Sequence, residues 1–390
     1  MSPSLDSLIA RAQFLYEDID LTAVKEWKAA KPGRKAVGHM PIYVPREIVH
    51  AAGMLPVGVV GGGDRLEIIR GDAFFQSYIC RIPRSTIEMG LSGKLDCLDG
   101  MLFPSICDVI RNLSGMWQML FPERYVRYVD LPQNFDPKVG GAFWRRELDT
   151  LRDDLANLAD RPIEDEDLRQ SIAVYNDNRQ VIAQLYGERS QRPWFFPTSE
   201  VYLLLRAGNV LQPEEHSELV RQYLELAPLE EDRREQDMSR VVLVGMFCEQ
   251  PPLGLLLTLE RAGCWIVDDD LLLGHRWFVD DISTDGDPME NLVTAYLAQG
   301  ARTASVYQPE GRRGGWLVES VKTNHAEGVI FCAPSFCDPA LLEQPMLVEA
   351  LERNSIPHTQ FKYSEDTGQF AVIREQAGTF SDSIRLWSEV

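Results

Sequence analysis

The chain has 390 residues, 39 of them basic and 59 acidic, for a formal charge of −20. That balance argues against a nucleic-acid surface or an anionic membrane surface as partner, and no apolar run approaches the roughly 18 residues of a membrane-crossing helix. Hydrophobic content of 45% and aromatic content of 9% describe an ordinary globular chain, long enough that two domains are the default. The start, Met1-Ser-Pro-Ser-Leu-Asp, offers neither a basic nor an apolar signal region, so the chain reads as cytoplasmic. In a reducing compartment its seven cysteines are not expected to form a disulfide set.

Apolar spacing predicts a helix over residues 6–30 (Leu8, Ile9, Ala12, Leu15, then Leu21, Val24, Trp27), ended by Lys31-Pro-Gly. A strand at 36–40 follows, then a helix at 46–52 entered through Pro45, then a strand at 55–60 that runs into Gly61-Gly62-Gly63. Cys80 precedes a helix expected from about Ser85 to Leu91. A strand at 100–104 leads to Cys107 and a helix from Asp108, and a strand at 125–129 closes the unit. Residues 144–233 are charge-dense, with Leu148, Leu151, Leu155 and Leu158 at helical spacing.

A second alternating unit starts at Arg240: strand 241–247, helix 253–262, and a strand at 264–267 ending in Asp268-Asp269-Asp270. It continues with strand 328–333, helix 339–353 with Asp338 as expected N-cap, strand 357–362, and a helix around 381–387. The reading is an α/β chain with two Rossmann-like parallel-sheet domains, 1–143 with a leading helix and 239–390, joined by a helical region at 144–238.

Three cysteines fall at the downstream ends of strand-length apolar runs, each followed by an acid: Cys107-Asp108, Cys248-Glu249 and Cys337-Asp338. In an open α/β sheet, ligands collect outside the carboxyl ends of the strands. Thiols delivered there by separate strands suit a soft metal or an iron–sulfur cluster. A following helix N-terminus would favour the thiolate. The competing reading is buried, inert thiols, and it fits Cys97 and Cys332 best. No CxxC pair occurs, which argues against a zinc ribbon, a thioredoxin-type dithiol and a ferredoxin loop.

Four segments resemble the benzoyl-CoA reductase and 2-hydroxyacyl-CoA dehydratase family: Tyr43-Val-Pro-Arg-Glu-Ile-Val-His-Ala-Ala-Gly53, Cys80-Arg-Ile-Pro-Arg-Ser85, Asp99-Gly-Met-Leu-Phe-Pro-Ser-Ile-Cys-Asp-Val-Ile-Arg111, and Phe331-Cys-Ala-Pro-Ser-Phe-Cys-Asp-Pro339. Within the family, Phe247-Cys-Glu-Gln-Pro-Pro252 and Arg374-Glu-Gln-Ala-Gly-Thr-Phe380 look most like the smaller (C) catalytic subunit of the ATP-dependent reductases. The resemblance implies a [4Fe-4S] cluster held by Cys80, Cys107 and Cys337, with one iron left open. Cys248 and Cys264 leave room for a larger linked double cluster. It also implies a paralogous larger catalytic subunit, a separate ATP-hydrolysing iron–sulfur activator, and an aryl-CoA thioester substrate.

The activity so implied is stepwise one-electron reduction of an aromatic ring, with the thioester carbonyl accepting the first electron as a ketyl. The alternatives are a 2-hydroxyacyl-CoA dehydratase subunit and an electron-relay subunit that never touches substrate. Candidate proton donors are His39, His50 and His275, set against the plainer reading of satisfied or surface histidines. Gly61–Gly63 could turn amides toward a CoA phosphate or form a plain turn, and Asp268–Asp270 could supply acids or serve the loop.

Overall fold

Two four-stranded parallel sheets of the same order organise the chain. The computed structural model describes residues 4–245, 251–271, 276–300, 303, 306, 313–364 and 370–388. In the first sheet, β1 (Ala36–His39), β2 (Leu55–Gly58), β3 (Gly100–Pro104) and β4 (Tyr125–Val129) lie in the order β2-β1-β3-β4. In the second, β5 (Ser239–Val244), β6 (Cys264–Asp269), β7 (Gly328–Pro334) and β8 (His358–Tyr363) repeat it as β6-β5-β7-β8. Every pairing is parallel, so each connection crosses over through helix or loop. β1, β3 and β7 are buried along their whole length, as strands covered on both faces must be. In each sheet the chain leaves a central strand to one side and returns on the other. That reversal opens a crevice between β1 and β3 and another between β5 and β7.

The helices, in chain order, are α1 (Leu5–Glu17), α2 (Thr22–Ala29), α3 (Arg46–Ala51), α4 (Arg81–Leu91), α5 (Asp108–Leu120), α6 (Ala142–Ala159), α7 (Asp165–Gln191), α8 (Thr198–Ala207), α9 (Pro213–Leu226), α10 (Leu253–Arg261), α11 (Pro288–Gln299), α12 (Gly315–Thr323), α13 (Asp338–Arg353) and α14 (Phe370–Ser388). Several boundaries differ from expectation: β2 ends at Gly58 and β5 at Val244, each short of the expected end, and five further differences have local reasons. The 6–30 helix is two helices, because Asp18 Oδ2 accepts the Ala23 N–H at 2.9 Å and Leu21 takes a left-handed φ of 53°. The helix after Cys80 begins at Arg81, so Cys80 itself is the cap. α13 begins at Asp338, which makes Cys337, not Asp338, its cap. β6 runs through Asp268 and Asp269, both paired to β5. α14 starts at Phe370, well before 381, because Ile373 and Ala377 join the core beside α10. Helices α11 and α12 were not anticipated.

α11 and the residues before it close the core of the other half. Trp277, Met289, Leu292, Val293 and Tyr296 pack with the residues of the first sheet. The Tyr296 hydroxyl donates to the Pro132 carbonyl at 3.2 Å, and its ring lies 5.4 Å from that of Trp144. The Trp277 ring meets Tyr43 at 5.8 Å, edge on.

The helical middle carries two buried polar groups with large consequences. Arg189 on α7 and Asp269 on β6 form an ion pair at 2.6 Å with both side chains 0% exposed, and the Tyr186 hydroxyl donates to the other Asp269 oxygen at 2.8 Å. His216 on α9 is held neutral: its Nε2 donates to the Leu204 carbonyl at 3.0 Å and its Nδ1 accepts from Asn178 at 3.0 Å. Burial, the largest cause, pulls His216 down to about 4, and burial followed by the nearby Arg46 charge does the same to His39.

A histidine depressed in the folded state stays neutral there while the unfolded chain takes up its proton near pH 6.5. Its contribution is therefore intact above pH 6.5 and fades as pH falls toward 4. Each histidine is expected to cost about 2 kcal/mol between pH 6.5 and 5. Urea unfolding at several pH values checks this. His216→Asn should show a smaller acid loss than the parent chain, and an unchanged slope would refute the assignment.

Candidate functional site

A cavity of about 470 Å³ opens where the carboxyl ends of both sheets meet. Met40 and Pro41 enter it from the end of β1, Ile106 and Cys107 from β3, and Phe336 and Cys337 from β7. Cys80 enters from the start of α4. The three cysteines share one structural position, since each caps a helix: Cys80 caps α4, Cys107 caps α5 and Cys337 caps α13. The sequence places them 27 and 230 residues apart, and only the two switch-point crevices facing one another bring them to one space.

Three helix N-termini therefore aim at the same cavity, each with backbone N–H groups and a partial positive charge. The amides of Ile110 and Val109 donate to Cys107 and favour its thiolate. Burial outweighs them and the neighbouring Cys337 adds to the effect, so the free thiol stands above its ordinary range. A cation bound by the sulfurs would reverse that balance.

Bulky residues hold strained backbone on both sides of the cavity. Ile42 and Tyr43, just past the β1 end, take φ of 70° and 65°, and Phe336, just before Cys337, takes 69°. Left-handed backbone at a non-glycine residue costs on the order of 1–2 kcal/mol. The Tyr43 strain is held by a hydrogen bond between its hydroxyl and Thr303 Oγ1. Arg313 reaches the same place: Nη1 donates to the Thr303 carbonyl at 3.2 Å and to Glu343 Oε1 at 2.6 Å, and Nη2 donates to the Val306 carbonyl at 3.1 Å. Arg313 and Glu343 both line the cavity. Neither was singled out in the sequence, where they sit thirty positions apart with no motif around them.

The other candidates lie elsewhere. Cys264 begins β6, at the edge opposite the carboxyl ends, fully buried and with its thiol pushed up to about 12 by burial. Cys332 is buried inside β7 and Cys97 packs against the first core, as the inert reading expected. Cys248 and His275 lie outside the described residues. His39 is buried at the β1 end with Nδ1 donating to the Met40 carbonyl at 3.0 Å, and it is not among the residues lining the cavity. His50 lies between Ser171, at 2.9 Å, and Glu214, at 3.4 Å, against the helical middle.

Gly61 and Gly62 pack on α4, where the Gly62 N–H donates to Ser85 Oγ at 3.3 Å and a Cβ at Gly61 would meet that oxygen at 2.4 Å. The aspartates serve the structure. Asp268 accepts from Ser320 at 2.5 Å and pairs with Arg276 at 3.2 Å, and Asp270 accepts the Gly245 N–H at 2.7 Å.

Among the described residues, no three His, Cys, Asp or Glu side chains stand at the spacing for one metal ion. Three thiols, each at a helix N-terminus and lining one cavity, are by their chemistry the kind of donor set that an iron–sulfur cluster takes. No helix of the described residues is long and apolar enough to cross a membrane.

Comparison with known proteins adds to this geometry. A family model described as 2-hydroxyglutaryl-CoA dehydratase, D-component, matches residues 41–384. The chain is similar to the C-subunit of benzoyl-CoA reductase from Thauera aromatica, 56% identical over 386 residues that cover 99% of this chain and 100% of the relative. It is also similar to the (R)-phenyllactyl-CoA dehydratase beta subunit of Clostridium sporogenes, 28% identical over 90% of this chain and 92% of the relative. The beta subunit of (R)-2-hydroxyglutaryl-CoA dehydratase from Acidaminococcus fermentans is 28% identical over 93% of this chain and 95% of the relative.

Proposed function

The chain belongs to the family of the 2-hydroxyglutaryl-CoA dehydratase D-component, and from that premise we propose that it is a subunit of the catalytic module of an ATP-dependent benzoyl-CoA (aryl-CoA) reductase. The observation that carries the choice is the 56% identity along the full length of a benzoyl-CoA reductase subunit, against 28% for the dehydratase subunits. In this reading Cys80, Cys107 and Cys337 hold an iron–sulfur cluster of the [4Fe-4S] type. When bound, the cluster supplies low-potential single electrons, which ring reduction needs.

The rest falls to the chain itself. The N-termini of α4, α5 and α13 place amide dipoles around the thiolates and steady their negative charge. Met40, Pro41, Ile106, Ile110 and Leu342 give the cavity apolar walls that limit water beside a strong reductant. The strained loops after β1 and β7 fix where those walls stand. A paralogous larger subunit and an ATP-hydrolysing iron–sulfur activator complete the reaction in this reading. The family description favours a second reading, a 2-hydroxyacyl-CoA dehydratase subunit with the same cavity and a lyase outcome.

The test is anaerobic iron and acid-labile sulfide content of the chain with its partner subunit, together with EPR of the reduced protein with and without benzoyl-CoA. Iron with a signal that benzoyl-CoA shifts supports the proposal. Iron with a signal indifferent to substrate makes this chain a relay. Turnover of a 2-hydroxyacyl-CoA without ring reduction selects the dehydratase, and absence of iron overturns all three.

A further inference from the structure

The cavity holds a side chain that neither the fold nor the cysteines explain. Glu343 is buried to 7% exposure on the second turn of α13, between the apolar Leu342 and Met346 at the cavity mouth. Taking a carboxylate out of water is costly, and an apolar side chain in place of a buried ion pair is often no less stable. Among the described residues this carboxyl is held by Arg313, which is itself fixed by the Thr303 and Val306 carbonyls. Thr303 in turn meets Tyr43 of the loop after β1, so the pair is anchored to both halves of the chain. The other carboxyls of the lining, Asp108 and Asp338, are exposed first-turn residues beside the cysteines. Among the described residues of the lining, Glu343 is thus the one buried carboxyl, and burial raises it above its ordinary range.

Ring reduction of an aryl thioester needs one proton for each electron retained, in a space walled off from bulk water. We propose that Glu343, held by Arg313, is the proton carrier of this cavity: it takes a proton from solvent as negative charge enters and passes it to the one-electron-reduced acyl ring. In that step the Glu343 O–H bond breaks and a C–H bond forms at the ring. The ring radical anion becomes a neutral radical, and the carboxylate left behind pairs with Arg313 until solvent reprotonates it. The electrons come from the ATP-driven iron–sulfur reductant of the proposed function, on which this inference rests. Burial already raises the Glu343 carboxyl above its ordinary range while Arg313 pulls it back, which leaves it responsive to added negative charge.

The experiment uses the complete complex, purified anaerobically, with wild-type chain, Glu343→Gln and Glu343→Asp. Iron content, the pH dependence of the cluster midpoint by EPR titration, and benzoyl-CoA reduction are measured on each. One proton taken up per electron makes the equilibrium change tenfold per pH unit, about 59 mV for a one-electron couple. The wild type should show that slope. E343Q should keep its iron, lose most of the slope, and lose about 10²-fold or more in kcat with little change in KM. E343D should keep iron and a displaced slope, and recover part of the rate.

E343Q with full iron, wild-type slope and wild-type kcat overturns the proposal. If E343Q loses iron, E343D decides: a displaced slope supports the carrier role and an unchanged one overturns it. A wild-type complex with iron and a proton-linked midpoint but no ring reduction would sink the reductase reading while leaving proton uptake at Glu343 to be judged by the slope.

Discussion

Cys107→Ala and Cys337→Ala are each expected to strip the iron from the anaerobically purified complex and to reduce turnover to background. Both cysteines cap helices, enter the cavity from the carboxyl ends of strands in different sheets, and stand near enough for Cys337 to raise the Cys107 thiol. Removing Cys337 leaves two donors on the first half of the chain and removing Cys107 leaves one on each half, in either case too few to hold a cluster against chelation by solvent and buffer. Cys332→Ala and Cys264→Ala are the controls. Both thiols are fully buried in the sheet, raised by that burial, and outside the cavity lining. They should keep full iron and lose only some stability, on the order of 1 kcal/mol for a small cavity. Iron content by colorimetric assay separates the groups. Full iron in Cys107→Ala or Cys337→Ala would remove the basis of the ligand assignment.

Asp269→Ala is expected to be the most destabilising single change outside the cavity. It leaves Arg189, completely buried on α7, without its ion-pair partner and with only the more distant Asp268 charge to offset it. The Tyr186 ring lies 4.3 Å under the guanidinium and softens the loss only in part. Removing one partner of a buried pair costs about 3–5 kcal/mol, which for a chain of this length is a Tm fall of roughly 3–6 °C. Removing both charges should restore much of it, so Arg189→Met with Asp269→Leu should melt well above Asp269→Ala alone. Calorimetry of the three proteins tests the claim. A single variant within about 1 °C of the parent would show that water or relaxation reaches Arg189.

The central strands β3 and β7 were legible because they are buried throughout and bounded by turn residues, and both lie where the sequence put them. Cys107 and Cys337 were legible for the same reason, as each ends such a run before an acid. Cys80 was placed by its resemblance to a family segment, and the structure then showed it capping α4. What the sequence concealed is mostly packing. Tyr296 and Trp277 look like ordinary apolar residues of the second half, and nothing local says that their partners are Trp144 and Tyr43. The Arg313–Glu343 pair is invisible for a similar reason, because a long-range contact between two common charged residues leaves no periodic trace. α11 did carry a readable start, Asp287-Pro288, whose carboxylate accepts the Met289 and Glu290 N–H groups.

The packing of α11 onto the first half bears on how the chain is made. A ribosome releases the first sheet, α6 and α7 long before residues 288–299 emerge, and at ordinary elongation rates the interval is on the order of ten seconds. During that time the faces of Trp144, Phe135 and Tyr43 that α11 and Trp277 will cover stand open to water. The nascent first half is therefore an incomplete body with a sticky side. Slow translation between β5 and α11 would lengthen its exposure to aggregation and to holding chaperones, and a chain cut after residue 238 would never bury that side at all.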